Sequence, residues 1–146
     1  YVHPSDKEKE KYIEDVLSKV KFPYEYDDEV NLKQILDLIP RAFERYTEKR
    51  IELNFKTETN IYIYLVEDKM LKIPGNGNSY SVIDRNSFND NRYVTYKVHP
   101  KLLYRILRGP KYSHWNNAEG GSHIEFSRKP DIYESALYHS MSFFHA

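Results

Sequence analysis

The chain has 146 residues, a length that suits one domain with a buried core. Its 22 basic and 22 acidic residues cancel, so no net charge draws it towards nucleic acid or an anionic membrane. The lack of cysteine excludes disulfides, zinc–thiolate sites and thiol catalysis, and we expect a cytoplasmic protein. No apolar run approaches the roughly 20 residues of a membrane-spanning helix, so no membrane span is expected.

The amino-terminal region, residues 1–29, is predicted to form a helix followed by a connection. Within residues 5–20 apolar side chains recur at helical spacing, and Pro23 then breaks the pattern. We expect residues 30–146 to form the main domain, with the amino-terminal region packed on it as one compact unit. Because the chain opens on Tyr1 and not on methionine, we also expect it to be a fragment of a longer protein.

A second helix is predicted to begin near Asn31, where an apolar stripe starts that includes Leu32 and Tyr46. Pro40 removes a backbone donor from the middle of this stripe, which predicts a kink or two shorter helices. The alternating sequence RIELNFK, residues 50–56, then predicts a strand with one buried face. Two further runs, NIYIYLV and EDKMLKIP, would complete an antiparallel meander of three strands.

The remaining elements alternate between strands and helices. Segment 75–91 is rich in Gly, Asn and Ser and is predicted to be a loop with a short strand at YSVID. RYVTYKV predicts a strand, and HPKLLYRILRG predicts a helix with Pro100 in its first turn and Gly109 as its stop. SHIEFSRK predicts a strand, and a closing helix is predicted from Pro130. This order predicts an α+β domain with a mainly antiparallel sheet and helices packed on one face.

One loop, YSHWNNAEGGSHIEF, concentrates the residue types that chemistry uses. His114, Glu119 and His123 are metal-ligand types, but their spacing matches no known metal motif. Ser113 and Ser122 lie beside histidines in the sequence, yet neither belongs to a nucleophile elbow. We therefore expect no catalytic residue and no metal site in this chain.

The same loop favours ligand binding. Trp115 can stack on a planar ligand, and Asn116 and Asn117 supply both donors and acceptors. The alternative is structural, with the tryptophan anchoring the loop on the sheet and the asparagines capping the following turn.

The order of the last elements resembles a sterol-carrier-protein-type domain. In that family a strand leads into a helix of the kind LLxxLxxG, then a Gly-containing loop, a strand and a last apolar helix. The corresponding parts here are residues 93–98, 102–109, the Gly120-Gly121 pair, 122–127 and 132–144. The resemblance covers about residues 30–146 and lies in the pattern, without a diagnostic motif.

Such domains occur alone, as carriers of apolar molecules, and at the carboxy terminus of metallo-β-lactamase-fold hydrolases. The tail HWNNAEGGSHIEF...KPDIY looks similar to the end of some bacterial proteins of the second kind. The resemblance implies a non-catalytic accessory domain that binds a small molecule and has an upstream catalytic domain as partner. The His-x-His-x-Asp-His signature of that superfamily is absent here, so zinc or another divalent metal would belong to the upstream domain and no cofactor to this chain.

Two other functions stay open at this stage. The first is a free-standing carrier of an amphipathic small molecule, with a soft apolar face on the closing helix. The second is a sugar-binding or single-stranded nucleic-acid module, although zero net charge argues against a nucleic-acid partner. The predicted ligand-binding residues are His114, Trp115, Asn116, Asn117, Glu119, His123, Tyr133, Leu137 and Met141.

A homodimer is a further expectation. The closing helix has an apolar stripe formed by Ile132, Leu137 and Met141. Tyr138, Phe143 and Phe144 cannot all share this stripe, because helical residues share a face only at spacings of three or four. An exposed aromatic patch there would suit a second subunit or an upstream domain.

Overall fold

The computed structural model describes residues 27–75, 79–111, 115 and 124–145. The predicted helix at 5–20 lies outside these residues. The described helices are α1 (Leu32–Glu52), α2 (Pro100–Arg108) and α3 (Ser135–Met141), and the strands are β1 (Asn60–Tyr64), β2 (Lys69–Ile73), β3 (Ser81–Asp84), β4 (Tyr93–Val98) and β5 (Ile124–Lys129).

The five strands form one sheet in the order β3-β2-β1-β4-β5. Neighbouring strands are antiparallel except for β1 and β4, which run parallel. The central strand β1 therefore has an antiparallel neighbour, β2, and a parallel neighbour, β4. Its residue Ile61 lies opposite Ile73 on β2 and Val94 on β4. The prediction of an α+β domain with a mainly antiparallel sheet is confirmed.

The core lies between one face of this sheet and the three described helices. Alternate residues of β1 and β4 point into it, as the two-residue period of a strand requires. The helices contribute apolar residues at spacings of three and four. The core includes Ile35, Ile39, Ala42 and Tyr46 of α1, Leu103 and Ile106 of α2, Leu137 and Met141 of α3, and Ile61, Ile63, Val94 and Tyr96 of the sheet.

Helix α1 runs without interruption through Pro40, so it is one helix and not the two shorter ones considered from the sequence. Its start is fixed by a capping box, in which the Asn31 side chain accepts from the Gln34 N–H and the Gln34 side chain accepts from the Asn31 N–H, both at 2.9 Å. Pro40 lies on the exposed side, while its neighbours Ile39 and Ala42 are fully buried. Burial of that face holds the helix together where one hydrogen bond is missing.

The predicted strand at 50–56 is wrong, because α1 continues to Glu52. The helix then ends in a Schellman motif, in which the Asn54 N–H bonds to Ile51 O and the Phe55 N–H bonds to Arg50 O, each at 3.0 Å. Asn54 has φ of 49°, the left-handed conformation that this ending needs and that asparagine tolerates better than most residues. The meander exists, but it consists of β1, β2 and β3.

The closing helix is shorter than predicted, since it begins at Ser135 and not at Pro130. Arg128 Nε donates to the Asp131 carboxylate at 2.6 Å, so Asp131 is bound to β5 and does not sit in the first turn of the helix. Ile132 and Tyr133 consequently lie outside the helix and are exposed. Among the described helices, none combines the length and apolar composition that crossing a bilayer requires.

Candidate functional site

A cleft of about 630 Å³ opens where α1 ends and where β1 and β4 begin. Its volume is within the range of small-molecule sites. One wall is the last turn of α1, and the other is the connection from α1 to β1 together with single residues before β4 and after β2. The lining residues are Thr47, Arg50, Ile51, Asn54, Phe55, Lys56, Thr57, Glu58, Gly75 and Arg92.

The Schellman ending of α1 shapes this cleft. By turning the chain at Asn54, it leaves Ile51 on the helix surface, where this residue is 74% exposed, and it folds Phe55 back as a half-buried residue. Both side chains line the cleft. The cleft therefore offers an aliphatic and an aromatic contact to a ligand.

Gly75 closes one side of the cleft by a close backbone approach. A Cβ atom at this position would lie 2.5 Å from the carbonyl oxygen of Thr59 and 2.7 Å from that of Thr57. No real Cβ atom tolerates such contacts with backbone, so only glycine fits without moving the chain.

The charged residues on the walls are mostly cationic, with Arg50, Lys56 and Arg92 against Glu58. Arg50 Nη2 donates to Gly75 O at 2.5 Å, and its Nε is buried without a hydrogen-bond partner in the described part of the chain. The hydrogen-bonding capacity of this guanidinium is thus not exhausted by the protein. Burial raises the pKa of the neighbouring Tyr46 to about 12, and the Arg50 charge lowers it by less.

Behind Arg92 lies a polar cluster centred on Glu134, the residue that precedes α3. Thr57 and Thr59 donate their hydroxyls to the two Glu134 oxygens at 2.6 and 2.5 Å. Arg92 Nε donates to Thr59 Oγ1 at 2.9 Å, and its Nη2 lies 3.6 Å from Glu134 Oε1. Because this carboxylate already has two donors and a cation, it is a structural acceptor and a poor candidate for a general base.

A second carboxylate, Asp90, fixes the segment that carries Arg92. It accepts from Asn60 Nδ2 at 2.7 Å, from the Tyr62 hydroxyl at 2.6 Å and from the Arg92 N–H at 3.0 Å. Burial raises the pKa of Asp90, but these hydrogen bonds and that of the Asn91 backbone outweigh it and leave the pKa below its ordinary value. Burial, and then the contact with Asp90, raises the pKa of Tyr62.

Most of the predicted ligand-binding loop, namely His114, Asn116, Asn117, Glu119 and His123, lies outside the described residues. Trp115 is described and fully buried. Its Nε1 donates to the carbonyl of Phe144 at 2.7 Å, and its ring meets Tyr96 edge-on at 5.6 Å. Trp115 therefore ties its segment to the core.

The other predicted ligand-binding residues belong to the closing segment. Leu137 and Met141 are buried in the core with Trp115. Tyr133 is instead 63% exposed and stacks on Tyr138 with ring centroids 5.0 Å apart. The structure thus brings three of the predicted residues together as core and leaves Tyr133 on the surface, while other residues form the cleft.

The helix end that shapes the cleft can be predicted from the sequence, but the strand predicted at 50–56 is incompatible with it. Asn54 follows a helical run that ends in Lys49 and Glu52, a pair that forms an ion pair at 3.1 Å, and asparagine just after a helix marks a left-handed ending. Alternation over RIELNFK was the competing pattern, and it placed Ile51 and Phe55 on a buried strand face.

Metal chemistry finds no support among the described residues, where no group of three or more His, Cys, Asp or Glu side chains could hold an ion. The residues that line the cleft include neither histidine nor cysteine.

Comparisons with known proteins give one likeness of fold. No family model matches the chain, and no curated protein matches it. Among solved structures it is similar to one described as "UbiJ-SCP2 Ubiquinone synthesis protein", with 10% sequence identity, a TM-score of 0.37, and coverage of 97% of this chain and 93% of that chain. A likeness of this degree assigns no ligand, partner or site to the present chain.

Proposed function

We propose that this chain is a non-catalytic module that binds a small amphipathic anion in the cleft at the end of α1. The observation that carries the proposal is the combination of exposed Ile51 and half-buried Phe55 with the guanidinium of Arg50 on the walls of one cleft of about 630 Å³. The apolar side chains would contact a hydrocarbon tail. The cations would hold a carboxylate, since charge-assisted hydrogen bonds are the stronger ones.

The accessory form of this proposal joins the module to an upstream metallo-β-lactamase-fold hydrolase, which would hold the metal. Its support is the resemblance of the tail HWNNAEGGSHIEF...KPDIY to the end of such proteins. A His-x-His-x-Asp-His motif encoded upstream of Tyr1 is the expected finding. A native start codon near Tyr1 would instead favour the free-standing carrier.

Calorimetric titration of the full chain with dodecanoate and with dodecanol tests the binding proposal. We expect dodecanoate to bind and the uncharged alcohol to bind at least about tenfold more weakly, because only the carboxylate can form charge-assisted hydrogen bonds. Trp115 fluorescence is a poor reporter here, since Trp115 is buried among core residues and does not line the cleft.

Variants locate the site. Arg50→Gln and Lys56→Gln should each weaken dodecanoate binding by about three- to tenfold. Ile51→Ser should weaken the binding of both dodecanoate and dodecanol, because it removes an apolar contact. Arg41→Gln and Val82→Ser are the matched controls, because both residues are exposed and outside the cleft. Lys56 is exposed, so its variant keeps the test valid if Arg50→Gln is unstable. Equal affinity in all five variants, or no dodecanoate binding, would refute the proposed site.

A further inference from the structure

Strand β5 forms one end of the described sheet, and no described strand pairs with its outer edge. Its residues from Glu125 to Lys129 are all exposed, although each pairs with β4 on the inner edge. An open edge of this kind presents unpaired backbone N–H and C=O groups that can accept another strand.

Aromatic and aliphatic surface lies beside this edge. Phe126 is 41% exposed, Ile132 60% and Tyr133 63%, and these are three of the seven large apolar residues that the described structure exposes. Phe126 and Tyr133 both contact the Tyr138 ring, with centroid distances of 5.9 and 5.0 Å. A strand added to β5 would therefore also cover apolar side chains on the helix side of the sheet.

Symmetry limits how two copies of β5 can pair. A two-fold axis perpendicular to the sheet makes the strands antiparallel and keeps every side chain on its own face. Residues that lie directly opposite one another must point to the same face, so each pairs with a residue an even number of positions away. The axis must therefore lie midway between the two copies of one residue, which are directly opposite each other, and each register is named by that residue.

Charge selects one of these registers. With the axis at Ser127, Glu125 lies opposite Lys129 of the second copy, and Phe126 lies opposite Arg128 of the second copy. Both contacts occur twice, and both are favourable, the first as an ion pair and the second as a cation–π contact. An axis at Glu125, Arg128 or Lys129 would instead place like charges directly opposite each other. An axis at Phe126 would give these three residues no opposite charge in the second copy, so that Glu125 and Arg128 would keep only their partners Lys97 and Asp131 within the same chain.

We infer that the outer edge of β5 is a self-association surface, through which two copies of this chain form a continuous ten-stranded sheet with their Ser127 residues directly opposite each other across the two-fold axis. Lysine at a sheet edge commonly opposes such pairing. Here each Lys129 meets an opposite charge, and Pro130 lies beyond the stretch 125–129 that pairs.

Charge reversal at Lys129 tests the register. Size-exclusion chromatography with light scattering on the full chain should show a dimer, and Lys129→Glu should raise its dissociation constant at least about tenfold, because both ion pairs become repulsive. Adding Glu125→Lys should restore the dimer, since the two charges are then exchanged. Lys33→Glu makes the same change in net charge on α1 and should have no effect. A chain that is monomeric up to about 1 mM, or a dimer indifferent to Lys129→Glu, overturns the inference.

The lack of cysteine in the chain permits a geometric test. Directly opposed strand residues have Cα atoms about 4.5–5.5 Å apart, which suits a disulfide, so oxidised Ser127→Cys should form a covalent dimer. In the same register the two copies of residue 129 are displaced by four residues, or about 14 Å, so Lys129→Cys should remain uncrosslinked. Efficient crosslinking of Lys129→Cys but not of Ser127→Cys would exclude the proposed register even if a dimer forms.

Discussion

The Asp90 carboxylate joins the start of β1 to the segment before β4 through the side chains of Asn60 and Tyr62 and the Arg92 backbone. These donors stabilise the charged form more than burial disfavours it, so the pKa of Asp90 is lowered. A carboxyl group whose pKa is lowered on folding contributes stability above its unfolded pKa, near 3.9, and this contribution disappears as the pH falls through the folded value.

Asp90→Asn should therefore remove an acid-dependent part of the free energy of unfolding. At pH 7 we expect a loss of about 1–2 kcal/mol, because the charged acceptor of several hydrogen bonds is gone. Below pH 4 the difference between variant and wild type should shrink, since protonation removes the same charge from the wild type. Urea denaturation at a series of pH values measures both the loss of unfolding free energy at pH 7 and its decrease below pH 4. Asp37→Asn, at an exposed position on α1, is the control, and an equal pH dependence in all three proteins would show that Asp90 is not responsible.

Among the elements, α1 keeps an exposed proline in its interior because its other side is fully buried. Pro40 has no N–H to offer the carbonyl of Leu36, and its ring crowds that carbonyl. The burial of Ile35, Ile39 and Ala42 compensates for this local defect. The sequence shows both the proline and the apolar stripe, but it does not show whether burial of the stripe outweighs the cost of the proline.

Pro40→Ala should stabilise the protein by about 1–2 kcal/mol, less than the full propensity difference, because proline also restricts the unfolded chain. The shift of the urea midpoint measures this. Lys33→Ala, an exposed substitution on the same helix, should stay within about 0.5 kcal/mol of the wild type. A destabilised Pro40→Ala protein would mean that the proline fits a distortion on which the packing of α1 depends.

How much of these elements the sequence predicts depends on whether local and tertiary signals agree. For β1, β2, β4 and α2 the apolar pattern and the turn residues point to the same structure, and the structure follows. At 50–56 the alternation of Ile51, Leu53 and Phe55 indicates a strand, yet the end of α1 is decided by the local bonds around Asn54. At 130–134 the Pro-Asp start signal fails because Arg128 binds Asp131.

The cleft could not be predicted from the sequence either. One of its walls comes from the segment 50–56, for which the sequence pattern predicts the wrong structure, and the other residues on its walls are far apart in the chain. Arg50 and Gly75 meet across 25 positions, and Thr59 and Glu134 across 75. No periodicity connects residues at such separations, so only the folded chain shows that Arg50 and Gly75 border one cleft and that Thr59 and Glu134 meet behind it.

At the scale of the whole molecule, Glu134 connects the carboxy-terminal segment to the centre of the sheet. It lies between β5 and α3 in the chain, and its carboxylate accepts from Thr57 and Thr59, which come just before β1. The side chain of Glu134 provides no cap for α3 itself, because both its oxygens are used in this long-range contact. Glu134 should therefore stabilise the last segment against local unfolding, and it should contribute little to the stability of the rest of the sheet.

The substitution Glu134→Gln tests whether this residue stabilises the last segment alone or the whole domain. The variant keeps the shape but replaces one acceptor oxygen by a donor, so one threonine hydroxyl loses its acceptor and Arg92 loses its counter-charge, at a cost of about 1–3 kcal/mol. Hydrogen exchange by mass spectrometry should show faster exchange in peptides covering 130–145, with little change in peptides covering 60–73. Glu48→Gln, an exposed position on α1, should exchange as the wild type does. Equal acceleration in both sets of peptides would show that Glu134 stabilises the whole domain, and unchanged exchange at 130–145 would show that the core contacts of Leu137 and Met141 hold the segment without it.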